Sequence, residues 1–188
     1  MYDPYIKKNV IKLVIGGPGA VGKTVIAKKL AGDLKKIDNI AMTKGLDVHT
    51  IHINQNGKRT NSLPLKIQVW DCAGQEQFYF FQNIFFAKAK IVMLVFSVDN
   101  YSTFFELVHW TNLVKDASII KMYLVGNKID IENRAVPKEI SLEMAKAYEM
   151  AYFEISALTN KGFEALRDDL LDRINQSYQK EKEISGDK

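Results

Sequence analysis

The stretch VIKLVIGGPGAVGKT, from Val10 to Thr24, decides how the rest of the chain is read. Val10, Ile11, Leu13, Val14 and Ile15 form an apolar run broken only by Lys12, the pattern of a strand buried on both faces. The chain then turns glycine-rich, closes on Gly17-x-x-x-x-Gly22-Lys23-Thr24 and runs into the helix former VIAKKLAGDL. Strand, glycine-rich loop and helix in that order make a phosphate-binding loop. Glycines let successive backbone N–H groups converge on phosphate oxygens, and the helix start adds unpaired donors and a positive dipole end. Gly17, Gly19, Ala20, Val21, Gly22, Lys23, Thr24 and Val25 are the candidate nucleotide contacts here. Lys23 can reach the β- and γ-phosphates as a point charge, and the Thr24 hydroxyl can ligate a bridging Mg²⁺. The competing reading is a glycine-rich turn with no ligand. Residues of the right types between a strand and a helix stand against it.

At 188 residues the chain is one domain of ordinary size. Its 47% hydrophobic and 26% charged content are globular values and exclude a disordered or fibrous chain. The net charge of +4 is spread along the chain, so no nucleic acid is expected as a partner. One cysteine, Cys72, excludes an internal disulfide and fits a reducing compartment, which gives the expectation of a cytoplasmic protein. No apolar run reaches the roughly eighteen residues of a membrane span. The opening MYDPYIKKN lacks the apolar core of a signal peptide, and Tyr2 stands where myristoylation requires glycine. The closing KEKEISGDK holds no cysteine to prenylate. The expectation is a monomer without a direct membrane anchor, recruited to membranes, if at all, peripherally through partners.

Apolar β-type runs alternate with helical patterns, the signature of a sheet wrapped by helices. Strands are expected at about 10–16, 47–54, 64–71, 90–97, 120–126 and 151–155, and helices at about 22–34, 76–86, 102–116, 137–149 and 161–179. Asn56-Gly57 between HTIHINQ and LPLKIQVW marks a β-hairpin. Thr103 with Glu106 offers a capping box for the third helix, and Pro137 fits the first turn of the fourth. IVMLVF and KMYLV are too apolar for a one-sided sheet and read as central parallel strands. Phe163, Leu166, Leu170 and Ile174 recur at helical spacing and make a core-facing stripe.

A phosphate loop alone fits kinases, ATPases and GTPases alike. Two downstream segments narrow the choice. The first is WDCAGQE, Trp70 to Glu76, at the end of the hairpin's second strand. Asp71 leaving a strand beside the phosphate loop can hold a water on Mg²⁺. Gly74 can offer its backbone N–H to the γ-phosphate without side-chain obstruction. Gln75 follows, and its amide can accept from an attacking water while donating to a phosphate oxygen. The second segment is NKID, Asn127 to Asp130, straight after the strand KMYLVG. Guanine presents two donors on one edge, which a carboxylate accepts in parallel. Adenine presents an acceptor there, leaving the carboxylate unpaired at a cost of roughly 1–3 kcal/mol. Asp130 is therefore a reasoned guanine reader, Lys128 can lay its stem along the base, and Asn127 can tie this loop back to the phosphate loop.

With GGPGAVGKT, WDCAGQE, NKID and Ser156-Ala157 in that order and spacing, the chain resembles a Ras-superfamily small GTPase over about residues 8–176, most closely the Rab/Ran branch. The resemblance implies an α/β P-loop nucleoside-triphosphatase fold: a six-stranded, mostly parallel sheet with one antiparallel strand and helices on both faces. It places that domain at 9–178, between an extension at 1–8 and a short charged tail at 179–188. It implies GTP/GDP and Mg²⁺ as ligands, with Ser156, Ala157 and Leu158 beside the guanine and the Ala157 N–H on its carbonyl. It also implies a threonine that closes on Mg²⁺ and the γ-phosphate. Thr43 matches, with Thr50 a competitor that lies inside the strand pattern. Metal binding then falls to Thr24, Thr43 and Asp71, and catalysis to Gln75 and Lys23. Trp110 and the aromatic run after Gln75 add to the Rab likeness.

This chain also departs from the family. No aromatic stands between Thr24 and Thr43, where one usually covers the base. Leu158 replaces a lysine, Gln77 an arginine and Ser97 an aspartate, and no lipidation cysteine is present. The expected mechanism is a switch. Thr43 and the Gly74 N–H hold residues 36–46 and 73–87 onto the γ-phosphate, and hydrolysis releases both. No arginine precedes Thr43 closely enough to act in cis, so unaided hydrolysis is expected to be slow. Effectors, exchange factors and GTPase-activating proteins are expected through those two segments. Phe78, Tyr79, Phe80, Phe81, Phe85 and Phe86 divide there between core packing and docking. The alternative function is a GTPase-shaped binding module that does not hydrolyse.

Overall fold

A computed structural model describes residues 10–33, 42–53, 65–75, 77, 79–114 and 119–185. In chain order its elements are β1 (Val10–Gly16), α1 (Lys23–Ala31), β2 (Leu46–Ile53), β3 (Leu65–Cys72), α2 (Tyr79–Phe86), β4 (Ile91–Ser97), α3 (Tyr101–Phe105), α4 (Leu107–Thr111), β5 (Lys121–Asn127), α5 (Lys138–Ala147), β6 (Ala151–Glu154) and α6 (Phe163–Ser185). The strands form one sheet in the order β2-β3-β1-β4-β5-β6. β2 runs antiparallel to β3, with Leu46 opposite Cys72, and every other pairing is parallel.

Strand side chains alternate between faces, and both faces of this sheet are covered. Leu13 and Ile15 of β1 join Val69, Met93 and Val95 in a core closed by Ile26 and Leu30 of α1 and Leu166, Leu170 and Ile174 of α6. Val14, between them, turns to the opposite core with Val92, Leu94, Phe96, Leu107 and Trp110. β4 lies between β1 and β5 and is buried at all seven positions, which is why IVMLVFS shows no polar alternation. β1 has β3 on one side and β4 on the other, so the strand order reverses beside it. The carboxyl end of a strand at such a reversal opens a crevice. The glycine-rich loop leaves β1 there.

Where the expected third helix, 102–116, falls on described residues it is two five-residue helices joined at Glu106; 115 and 116 lie outside the described residues. Glu106 keeps helical dihedrals (φ −62°, ψ −19°), so the interruption lies in the hydrogen bonding and not in the chain direction. The expected capping box of Thr103 and Glu106 does not form. Asn100 is the cap, its side chain accepting from the Ser102 N–H. Thr103 is buried; its hydroxyl accepts from the Ser97 N–H and donates to the Asn100 carbonyl, so it staples the helix to the end of β4. Pro137 stands one place earlier than expected, at the N-cap of α5. The last helix continues to Ser185, beyond the expected 179. The Asn56-Gly57 turn lies outside the described residues, as do Glu76 and Phe78, although the antiparallel pairing expected around that turn is present.

The α6 stripe is buried as its spacing requires, with Leu166, Leu170 and Ile174 at 0% exposure. Leu170→Ala removes a side chain with no route to water and should lower unfolding free energy by about 2–5 kcal/mol. Urea denaturation checks this, and a loss below about 1 kcal/mol would show that the stripe is not core.

Candidate functional site

Between β1 and α1 the backbone takes positive φ at Gly17 (136°), Ala20 (59°) and Gly22 (97°). A non-glycine residue in that region is strained and persists where its surroundings over-determine it. Reversals of this kind are how a loop makes an anion-binding nest of N–H groups. Gly22 is constrained further, because a Cβ on it would strike the Asn127 side-chain amide. A Cβ on Gly74 would strike the backbone of Gly17 and Pro18. The segment after β3 therefore packs directly on the loop. Lys23 opens α1 buried, with Nζ donating to the Pro18 carbonyl at 2.5 Å. Burial lowers its pKa to about 8, partly opposed by the charge of Asp71.

Three oxygens from three elements meet beside that lysine. Thr24 of α1 and Thr43, just ahead of β2, both donate to Oδ2 of Asp71 on β3, at 2.7 and 2.9 Å. Each hydroxyl has a single proton. The two threonine oxygens are also 2.8 Å apart, so two protons cannot serve all three contacts and one is left without a donor. Asp71 is fully buried, and its second oxygen, Oδ1, has no hydrogen-bond partner. Burial pushes its pKa up, while the two hydroxyls and then Lys23 oppose the rise. A close oxygen contact short of a proton, beside an unsatisfied carboxylate oxygen, fits a hard cation with oxygen ligands, as Mg²⁺ is. No cluster of three or more His, Cys, Asp or Glu suited to a metal exists among the described residues. A cation here would therefore depend on these hydroxyls and on a ligand's own oxygens. Thr50, the competitor of Thr43, lies exposed along β2 opposite Gln68, away from this point.

Lys23, Thr24 and Thr43 line a cleft of about 170 Å³ with Gly19, Ala20, Gly22, Val25, Gly74 and Gln75. Gln75 reaches across it, its amide nitrogen 3.5 Å from the Met42 sulfur, while its amide oxygen accepts from the Gln77 side chain at 2.8 Å. The acceptor that a water would need is thus engaged by Gln77. Met42, Cys72 and Ala73 also line the cleft and were not foreseen. Adjacency to Thr43 and Asp71 was their only sequence signal. Burial pushes the Cys72 thiol up to about 12, so it stays protonated and inert as a nucleophile.

The NKID residues stand next to this cleft, joined to it by one side chain. Asn127 is buried; its amide donates to the Val21 carbonyl at 2.8 Å and accepts from the Ala157 N–H at 2.9 Å. It therefore ties the phosphate loop to Ser156-Ala157, one connection more than expected. Lys128 takes a positive φ of 68°, which turns the chain so that Asp130 is exposed. Ser156 is buried and accepts the Thr159 N–H, while Leu158 is exposed. Lys29 of α1 donates to Asn160, a second unforeseen link between the two halves.

A sequence model of the Ras family matches residues 12–176. The Ras-related proteins Rab-18 of Caenorhabditis briggsae and of Caenorhabditis elegans are each 32% identical to this chain over 173 residues, covering 90% of it and 82% of their own length. Phosphate loop, Asp71 and NKID thus sit in a sheet of the expected topology, and the likeness runs through nearly the whole chain: it belongs to the Ras family, as a Rab-like small GTPase.

Proposed function

We propose that this GTPase switches between GTP and GDP states by holding Mg²⁺ and the γ-phosphate against Thr24, Thr43 and Asp71. The observation that carries this reading is the meeting of three motifs at the Asp71 carboxylate. Thr24 and Thr43 would hold the ion directly and Asp71 through a water. When bound, Mg²⁺ would neutralise charge on the phosphate oxygens. Lys23 adds a second positive charge there, and the Gly74 N–H binds the γ-phosphate. Gln75 gives up Gln77 as donor and accepts from the attacking water. Loss of the γ-phosphate releases Thr43 and Gly74, and segments 36–46 and 73–87 change partners.

Asp130 reads guanine through its two edge donors, Lys128 covers the base, and Ala157 meets the guanine carbonyl. Hydrolysis without a partner is slow, and an arginine supplied by a GTPase-activating protein would accelerate it by roughly 10³–10⁵. Phe80 at 88% and Phe81 at 49% exposure support docking of effectors at α2, while Phe86 packs inward on Trp110 with ring centroids 6.0 Å apart. The switch acts as a monomer in the cytoplasm and reaches membranes through partners. No helix among the described residues is long and apolar enough to cross a membrane.

Single-turnover hydrolysis tests the reading directly. Gln75→Leu should bind GTP as the parent does and hydrolyse it about tenfold more slowly or worse; equal rates would leave a binding module. Asp130→Asn should weaken GTP by roughly 10- to 100-fold and gain xanthosine triphosphate, whose extra carbonyl suits an amide donor. Competition binding with both nucleotides measures this, and unchanged guanine preference would remove Asp130 from the site. Burial brings the Lys23 pKa down to about 8 in the free protein, so its charge is lost progressively as pH rises through that value. A triphosphate favours the charged form, so affinity should be flat below about pH 8 and fall up to about tenfold per unit above it. Calorimetric titration from pH 7 to 10 would show this slope, and Lys23→Arg should flatten it.

A further inference from the structure

The three oxygens around Asp71 belong to three separate elements, so the triangle holds only if α1, β2 and β3 keep their spacing. The ladder fixes β2 against β3, and the Ala73 N–H on the Gly45 carbonyl at 2.8 Å extends that hold past the end of the strands. Neither contact ties β2 to α1, yet Thr24 stands on α1 and Thr43 just ahead of β2. Apolar packing of Ile51 and Ile53 on the core closed by α1 brings the two together, and among the described residues His49 adds a polar contact between them. His49 of β2 is only 10% exposed, with Nδ1 3.4 Å from Oδ2 of Asp33 and Nε2 3.5 Å from Oδ2 of Asp47. Asp33 follows Gly32, the left-handed cap of α1, and its N–H bonds back to the Lys28 carbonyl at 2.9 Å. Asp47 is held by the Val48 N–H on its other oxygen at 2.9 Å and lies opposite Asp71 in the ladder. The Asp47 carboxylate is thus fixed to backbone and the Asp33 main chain to α1, while Nε2 of the ring is buried without a hydrogen-bond partner and Nδ1 faces Asp33.

We propose that His49 is a positioning residue for Thr43: carried on β2, its imidazole meets Asp33 at the end of α1 through Nδ1, and so helps to set the distance at which Thr43 meets Thr24 and Asp71. This rests on the GTPase reading and names a residue that touches neither nucleotide nor metal. Its effect is confined to the state in which Thr43 and Thr24 share a cation. The carboxylates are 54–58% exposed, so the effect is modest, about fivefold.

The probe is a non-hydrolysable GTP analogue, β,γ-imido-GTP, whose dissociation is followed in Mg²⁺ and again in EDTA. His49→Phe keeps the ring volume and removes both nitrogens. It should release the analogue about fivefold faster in Mg²⁺ and at the parent rate in EDTA. Asp33→Asn, a change at an exposed carboxylate, should do the same if the phenylalanine variant does not fold. The two together should be no worse than either alone. His49→Gln keeps one donor and should recover part of the loss. Parent rates in Mg²⁺ for either single variant would overturn the proposal, and so would equal acceleration in Mg²⁺ and EDTA, which marks general loosening. A parent protein that fails to bind the analogue at all would remove the GTPase reading, and this proposal with it.

Discussion

A buried carboxylate has to find hydrogen-bond donors or a cation, because an unpaired charge away from water costs several kcal/mol. In this chain that demand falls on Asp71, at the end of β3 and fully buried. Its answer is to draw one hydroxyl from α1 and another from the chain ahead of β2. Each neighbouring feature is consistent with that choice. Gly74 has no side chain, so the segment after β3 can lie on the phosphate loop, and the buried Lys23 supplies a positive charge nearby. The cores on the two faces of the sheet hold β1 and β3 side by side, so that Ile15 and Asp71 are register partners. The chemistry of the site rests on that pairing.

Much of this fold was legible because strand and helix periods are local properties. IVMLVF read as a strand covered twice and the α6 stripe as a core face, and both lie buried. The order of strands was not local. It depends on long-range pairing and became readable only through the resemblance carried by the motifs. The failures were also informative. Thr103 and Glu106 have the spacing of a capping box, but Asn100 lies nearer the turn and caps first, which frees the Thr103 hydroxyl for the end of β4. Where two residues can serve one backbone donor, sequence spacing does not choose between them.

At the site, residue types were more legible than their company. The resemblance pointed to Thr43, and the strand pattern around Thr50 set that competitor aside. Neither could show that the Gln75 amide oxygen is engaged by Gln77, a contact between two side chains whose rotamers depend on the surrounding packing. Met42 was invisible for a similar reason, as a thioether carries no motif and fills whatever gap the backbone leaves. Asn127 was half read. Its link to the loop at Val21 was expected on residue type, while its second bond, to Ala157, requires knowing that β6 lies beside β5.

That second bond has a consequence for how selectivity and grip can vary together. One planar amide uses its donor toward the loop of β1 and its acceptor toward the turn after β6, so neither half can shift without rotating the group that anchors the other. In the proposed switch, recognition of the purine and tenacity toward its phosphates are thereby mechanically geared. Relatives that need looser nucleotide retention without losing base fidelity would have to find it elsewhere, in the chain that covers the base or in the residues that approach the terminal phosphate.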